Sequence, residues 1–227
     1  MIVIRLIVAA IILLFASPVL AADSFYILGT YVSPNGRSDI FQQNRRETTF
    51  DTDDLNDFGA TIGFDHFVGE YFNIGGSACY YREDAVGQDR IFRHSNGDPV
   101  ERDFRLKLLP VELNARALPL GRDKPVIVFI GGGVGLYFWE YEEVGDFVIN
   151  RNSTPSVIVG SASSDGRALG FNIHGGIEIP MSESSTFMIE VKHLYVEDDL
   201  DRRAFDSDFE PIDLSAILYS AGISFWF

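Results

Sequence analysis

The sequence predicts an all-β chain, an eight-stranded antiparallel up-and-down transmembrane β-barrel with long extracellular loops and short periplasmic turns. Three observations carry that expectation. In the last stretch, 214–227, every second residue counted back from the end is apolar or aromatic: Phe227, Phe225, Ile223, Ala221, Tyr219 and Ile217. Period two marks an extended strand with one apolar face, and a bare terminal aromatic suits the interfacial girdle of a barrel in lipid. The chain beyond residue 22 divides into eight such segments. The connections between them run long, short, long, short, long, short, long, which is the rhythm of an up-and-down barrel with its long loops at one end.

Residues 1–22 read as a secretory leader. Arg5 is their only charge, residues 6–15 form an unbroken apolar run, and Ser17-Pro18 precedes the small residues Ala21 and Ala22. The run is short for a membrane span. Residues 23–227 are then the barrel domain, exported to the cell outer membrane.

The first strand is expected at 25–32 and is followed by a polar stretch, 33–56. The second, 57–66, sets Phe58, Ala60, Ile62 and Phe64 on one face and Gly59, Thr61, Gly63 and Asp65 on the other. A short turn leads to the third, 71–82, with Phe72, Ile74, Gly76, Ala78 and Tyr80 on its apolar face. A polar stretch, 83–102, separates it from the fourth, 103–118. The turn 119–124 leads to the fifth, 125–141, and another polar stretch, 142–166, precedes the sixth, 167–180. After the turn 181–185 the seventh strand covers 186–196, and the polar stretch 197–213 leads into the closing strand. Segments of about ten residues span a bilayer when tilted.

Composition narrows the partners. The one cysteine, Cys79, allows no internal disulfide, and a formal net charge of −15 argues against nucleic acid and anionic membrane surfaces. With 46% hydrophobic residues the chain is not a disordered one. The expected surroundings are outer-membrane lipid and lipopolysaccharide, and the expected state is a monomer; the ending with Phe227, Phe225 and Ile223 resembles the C-terminal signature by which bacterial outer-membrane barrels are recognised, which implies the barrel assembly machinery as a partner.

With Phe227 facing lipid, alternation turns Asp65, Glu112, Glu178 and Glu190 into the lumen, together with Arg105, Lys107, Arg116 and Lys192. Asn73, Asn114, Asn172 and His174 join them. The apolar parity of the fourth strand changes between Leu108 and Val111, which calls for a bulge near Leu109-Pro110. Four acids and four bases in a lumen with room for side chains and little else suggest a salt-bridge plug. A gated polar pore, or a proton-linked site at His174 with Glu178, is the functional alternative.

The excess acid then belongs to the loops. The stretch 197–213 carries Glu197, Asp198, Asp199, Asp201, Asp206, Asp208, Glu210 and Asp213 against Arg202 and Arg203. Clustered carboxylates suit hard divalent cations, and Asp206, Asp208 and Glu210 have alternate spacing, yet no EF-hand pattern is present and a solvated repelling surface is the reading expected.

The pattern resembles the outer-membrane beta-barrel domain family, which includes opacity-type adhesins and small porin-like proteins of Gram-negative bacteria. The residues that carry the resemblance are Phe58-Gly59-Ala60-Thr61-Ile62-Gly63-Phe64, Leu109-Pro110-Val111-Glu112-Leu113, Pro125 with Gly131-Gly132-Gly133-Val134-Gly135, and the Phe227 ending. The resemblance implies the barrel fold, while the family holds structural barrels, adhesins, diffusion pores and a few lipid-modifying enzymes, so the role does not transfer with it; the role expected here is structural, adhesive or surface-interaction, with no cofactor and no enzyme activity. A narrow porin-like channel and a lipid A-modifying enzyme are the alternatives. His94-Ser95-Asn96-Gly97 resembles the His-x-Ser-Asn signature of outer-membrane lipid A deacylases, but its base and nucleophile are adjacent. On a strand they must lie two apart to share a face.

Overall fold

The computed structural model describes residues 23–151, 153–205 and 209–227; the leader expectation for 1–22 lies outside them. Strand β1 (Asp23–Pro34) is followed by helix α1 (Asp39–Glu47) and a 3-10 turn (Thr52–Leu55). Then come β2 (Asp57–Phe67), β3 (Phe72–Arg93), β4 (Pro99–Ala117), β5 (Ile127–Ile149), β6 (Ser156–Ser182) and β7 (Ser185–Tyr195). A two-residue ladder joins β8 (Glu197–Asp198) to β9 (Ile212–Asp213), and β10 (Ala216–Trp226) closes the chain. Eight strands form a closed antiparallel ring in the order β1-β10-β7-β6-β5-β4-β3-β2.

Closure is made by β1 and β10, in register from Ser24 opposite Trp226 to Pro34 opposite Ala216. Beyond that ladder, Asp23 and Phe227 exchange backbone hydrogen bonds at 3.0 Å in both directions. Phe227, Phe225 and Ile223 point outward, as do Ile27, Ile62, Ile74, Val111, Ile130, Ile173, Ile189 and Val191, so an apolar band girdles the ring.

The polar stretches 83–102 and 142–166, expected as loops, are largely strand. β3, β4, β5 and β6 hold 22, 19, 23 and 27 residues, against 11 in each of β2, β7 and β10. A bilayer needs about 9–11 residues of tilted strand, so the four long strands continue past it as a standing sheet. Exposed charge there reflects strand in water.

No register change occurs in β4 at Leu109-Pro110; the one shift in its ladder with β3 lies at the other end, between Gln88 opposite Glu101 and Arg93 opposite Pro99. Its pairing with β5 is unbroken from Arg102 to Ala117, and its pairing with β3 keeps one register on both sides of Pro110, with only the pairs at Leu109 and Pro110 missing. Proline lacks the N–H that the ladder would use, so the hydrogen bonds lapse without a bulge. Leu106, Leu108 and Pro110 all face the lumen, and the expected switch of parity is corrected.

Helix α1 lies within the long stretch read as polar loop. Asp39 in its first turn and Arg45 and Arg46 in its last complement the helix dipole, while Ile40, Phe41 and Asn44 form the buried face. The following 3-10 turn is capped by Asp51, which accepts from the Thr52 N–H at 2.6 Å, and by Asp54, which accepts from the Asp51 N–H at 2.8 Å.

Candidate functional site: the filled lumen and its cap

The lumen is filled in three tiers. At the short-turn end Tyr26, Leu28, Phe67, Leu118, Ile127, Phe129 and Met188 form an apolar floor against which Trp226 packs. A polar tier lies above it. Its centre is Arg116, only 1% exposed, whose Nη1 meets Asp65 Oδ2 at 2.5 Å and whose Nη2 meets Glu190 Oε2 at 2.9 Å. The guanidinium also lies over the rings of Phe129 and Tyr26, 4.7 and 5.0 Å from their centroids.

Lys192 continues the chain of charges. Its Nζ donates to Glu112 Oε2 at 2.8 Å and lies 3.6 Å from Glu190 Oε1. Glu112 Oε1 accepts from the Tyr137 hydroxyl at 2.6 Å and from Asn172 Nδ2 at 2.9 Å, and its Oε2 accepts from the Ser77 hydroxyl at 3.2 Å. Asn114 donates to Ser77 Oγ at 2.9 Å and accepts from Asn172 at 3.0 Å. His174 Nδ1 lies 2.7 Å from Asn172 Oδ1, an acceptor, so the proton sits on Nδ1. Glu178 accepts from the Thr186 hydroxyl at 3.0 Å. At this level β5 offers the lumen Gly131, Gly133 and Gly135, and a Cβ on Gly131 would sit 2.6 Å from His174 Nε2.

Asp65, Glu112, Arg116, His174, Glu178, Glu190 and Lys192 are thus together and buried. Arg105 and Lys107 are not among them. Both face outward on the standing sheet, where Arg105 pairs with Glu142 at 3.1 Å and Asp84 at 3.5 Å, and Lys107 with Glu140 at 3.5 Å. Two cations rather than four answer the four lumen acids. The hydroxyl and amide donors of Tyr137, Asn172, Ser77 and Thr186 take over part of the role expected of the missing pair.

The third tier is an apolar plug. Phe41, Phe50, Phe104, Tyr81, Tyr137, Trp139, Tyr141, Leu106, Leu108, Leu194 and Leu218 belong to one buried cluster with Leu55 from the 3-10 turn. Leu200, Phe205, Ile212 and Leu214 of the acidic stretch join it. The described parts of that stretch, 197–205 and 209–213, expected as a solvated repelling surface, are held over the barrel mouth by these anchors, and Asp198 Oδ2 accepts from Trp139 Nε1 at 2.7 Å. Asp206 and Asp208 lie outside the described residues, and Glu210 is exposed. Among the described residues no group of three or more metal-ligating side chains comes together.

Two charge clusters clasp the cap to the standing sheet. Glu143, buried, takes Arg102 at 2.9 Å, Asn44 of α1 at 2.7 Å and the Tyr141 hydroxyl at 2.9 Å. Burial, with the Glu143 carboxylate beside it, pushes the Tyr141 phenol well above its ordinary range, so it stays a donor. Arg151 bridges Asp89 at 2.5 Å and Glu47 at 3.1 Å. Burial alone would raise the Asp89 carboxyl, but the Phe92 and Ile91 N–H groups and Arg151 outweigh it and hold the carboxyl below the usual range. Sequence reading missed both clusters because their members are scattered over α1, β3, β4, β5 and the hairpin tip.

His94 and Ser95 fall at the β3–β4 turn, where His94 Nε2 lies 2.7 Å from Asp146 Oδ2. His193 faces outward, edge-on to Tyr195 with centroids 4.1 Å apart.

No family model matches the sequence, and no curated protein matches it. Solved structures do share the fold. A major outer membrane protein from Thermus thermophilus is similar with a TM-score of 0.52 at 11% identity, over 91% of this chain and 100% of that one. Neisserial surface protein A gives 0.47 at 10% identity, over 91% and 97%. Ail, the attachment invasion locus protein of Yersinia pestis, gives 0.43 at 14% identity, over 91% and 97%. The fold is that of the small outer-membrane β-barrels.

Proposed function

We propose that the chain is a cell-surface protein of a bacterial outer membrane whose lumen is a structural plug and whose working part is the rigid outer sheet with its cap. The observation that carries this reading is the lumen itself. An apolar floor, an ion-paired polar tier and an apolar plug succeed one another along its length, and two chain segments cover its mouth. An eight-stranded ring has space for side chains or a small solute path, and here side chains occupy it. The structural and surface-interaction role comes before the narrow-channel role on that ground. A non-catalytic role is part of the same reading, since His94 serves as a hairpin clasp to Asp146.

Conductance of the refolded full chain in a planar bilayer tests it. The expected record is near silence, with rare brief openings at most, under symmetric salt. Steady openings of the size a water-filled pore gives would overturn the plug and favour the channel.

A further inference from the structure

Near its outer tip β3 leaves the regular ladder. Between Gln88 opposite Glu101 and Arg93 opposite Pro99, β3 takes five steps while β4 takes two, so residues 89–92 bulge outward. Buried Asp89 fixes the bulge. Its Oδ1 accepts the Ile91 and Phe92 N–H groups, each at 2.9 Å, and Thr48 of the capping segment makes a bridge to it. Arg90, Ile91 and Arg93 are thereby presented in a set arrangement beside the C-terminus of α1.

Three exposed guanidiniums gather there, and among the described residues none has a carboxylate within salt-bridge distance. The Arg90 Nε–H donates to the Arg45 carbonyl at 3.1 Å, which caps the last turn of α1 and leaves both Nη groups unbonded. Arg93 Nη1 donates to the carbonyls of Asp89 at 2.8 Å and Phe92 at 3.3 Å. Arg46, the next residue of α1, makes no side-chain contact among the described residues. The neighbouring acids are engaged elsewhere: Glu47 and Asp89 both hold Arg151, Asp51 faces Arg45 at 3.9 Å, and Asp146 meets His94. Glu101 accepts from the Gln88 amide and Asp98 from the Asn96 amide. Arginines anchored on neutral carbonyls keep their charge uncompensated, and their remaining N–H groups are free for an acceptor.

We propose that this crest docks an acidic segment of a partner protein, in which carboxylates flank a large apolar residue. Arg46, Arg90 and Arg93 take the carboxylates, and Ile91 takes the apolar residue. This rests on the reading that the outer sheet with its cap is the working part. Guanidinium forks fit carboxylate, phosphate and sulfate alike, and Ile91 decides among them. It lies between Arg90 and Arg93 in the chain and is 78% exposed. A sulfated or phosphorylated sugar leaves that side chain wet, whereas an apolar side chain of a peptide covers it and gains by burial. The formal net charge of −15 repels an acidic ligand from the surface at large, so the unpaired arginines are what such a segment can find.

The test uses the full chain refolded in lipid nanodiscs and a blocked fluorescent peptide with one leucine between paired glutamates. Saturable binding is expected. It should weaken at least tenfold when glutamine replaces the glutamates of the peptide, and measurably when serine replaces its leucine. The double variant Arg90→Gln with Arg93→Gln should weaken it at least tenfold while keeping the heat-modifiable mobility of the folded barrel. Arg46→Glu, at a side chain without contacts in the fold, should do the same and guards against a variant that fails to fold. Ile91→Ser should reproduce the loss seen with the serine peptide. The proposal fails if no saturable binding appears at millimolar peptide, if the glutamine peptide binds equally, or if the arginine variants bind as the wild type does. A sulfated oligosaccharide that displaces the peptide, with Ile91→Ser binding as the wild type does, would give the crest to a glycan and overturn the proposal. Bilayer conductance is untouched by any of these outcomes, so the failure of this crest and the failure of the plug are read separately.

Discussion

Replacing Arg116 by alanine will destabilise the refolded barrel by about 3–5 kcal/mol, because breaking a buried pair strands its partners. Two carboxylates depend on this one guanidinium, Asp65 at 2.5 Å and Glu190 at 2.9 Å, and among the described residues Glu190 would retain only Lys192, at 3.6 Å, as an ion partner. Among the described residues Asp65 has no other cation within salt-bridge distance. Urea unfolding in lipid vesicles measures the loss. The triple replacement Arg116→Met with Asp65→Asn and Glu190→Gln should recover most of it, since removing all the charges removes the stranded ones. A single Arg116→Ala variant as stable as wild type would show that the carboxylates find water or protons at little cost, and the ion-paired tier would lose its structural meaning.

Phe104→Ala will cost a similar amount, about 3–5 kcal/mol, through a different mechanism. The Phe104 ring is fully buried in the upper plug, 4.4 Å from the Phe50 ring that the capping segment supplies, and the Arg102 guanidinium lies over it with its carbon 5.9 Å from the centroid. Removing it leaves a void that the strand-bound neighbours cannot close, while the cap, attached by short segments, can lift. Limited proteolysis within 35–56 should accelerate in step with the loss of stability. If stability falls while cleavage there stays at the wild-type rate, the cap is held by Glu143, Arg102 and Arg151 and owes little to the plug.

Much of the ring was legible from alternation alone. Each of the eight expected segments corresponds to a strand, and Asp65, Glu112, Arg116, His174, Glu178, Glu190 and Lys192 are buried in the lumen where parity put them. Arg105 and Lys107 went astray for a physical reason. Alternation reports which face is apolar, and the rule that apolar means outward holds only within lipid. Above the lipid the outward face of β4 meets water, while the inward face meets the plug. Leu106 and Leu108 are therefore buried inside, while Arg105, half-buried, and Lys107, exposed, point outward on a strand whose pairing with β5 is unbroken.

The cap was illegible for another reason. Ile40, Phe41, Phe50 and Leu55 are four apolar residues in a stretch dominated by charge and amide, too few to mark an amphipathic element on their own. Leu200, Phe205 and Ile212 are diluted by carboxylates in the same way. Their partners are strand residues on the far side of the sequence: Asn44 bonds to Tyr141 and Glu143, 97 and 99 positions away. Only the closed ring brings them within reach.

The glycines of β5 give the polar tier an unusual kind of specification. A methyl group on Gly131 would stand 2.6 Å from His174 Nε2, and one on Gly133 would stand 2.8 Å from Asn172 Nδ2 and closer still to Asn114 Oδ1. These positions carry no functional group, yet each reserves the volume in which a neighbour's polar head is held. The tier is a mould with one smooth wall: the rest of the ring supplies the chemistry and β5 supplies the vacancy. A search that ranks positions by the chemistry they can perform passes over Gly131 and Gly133, although alanine is already too large for either.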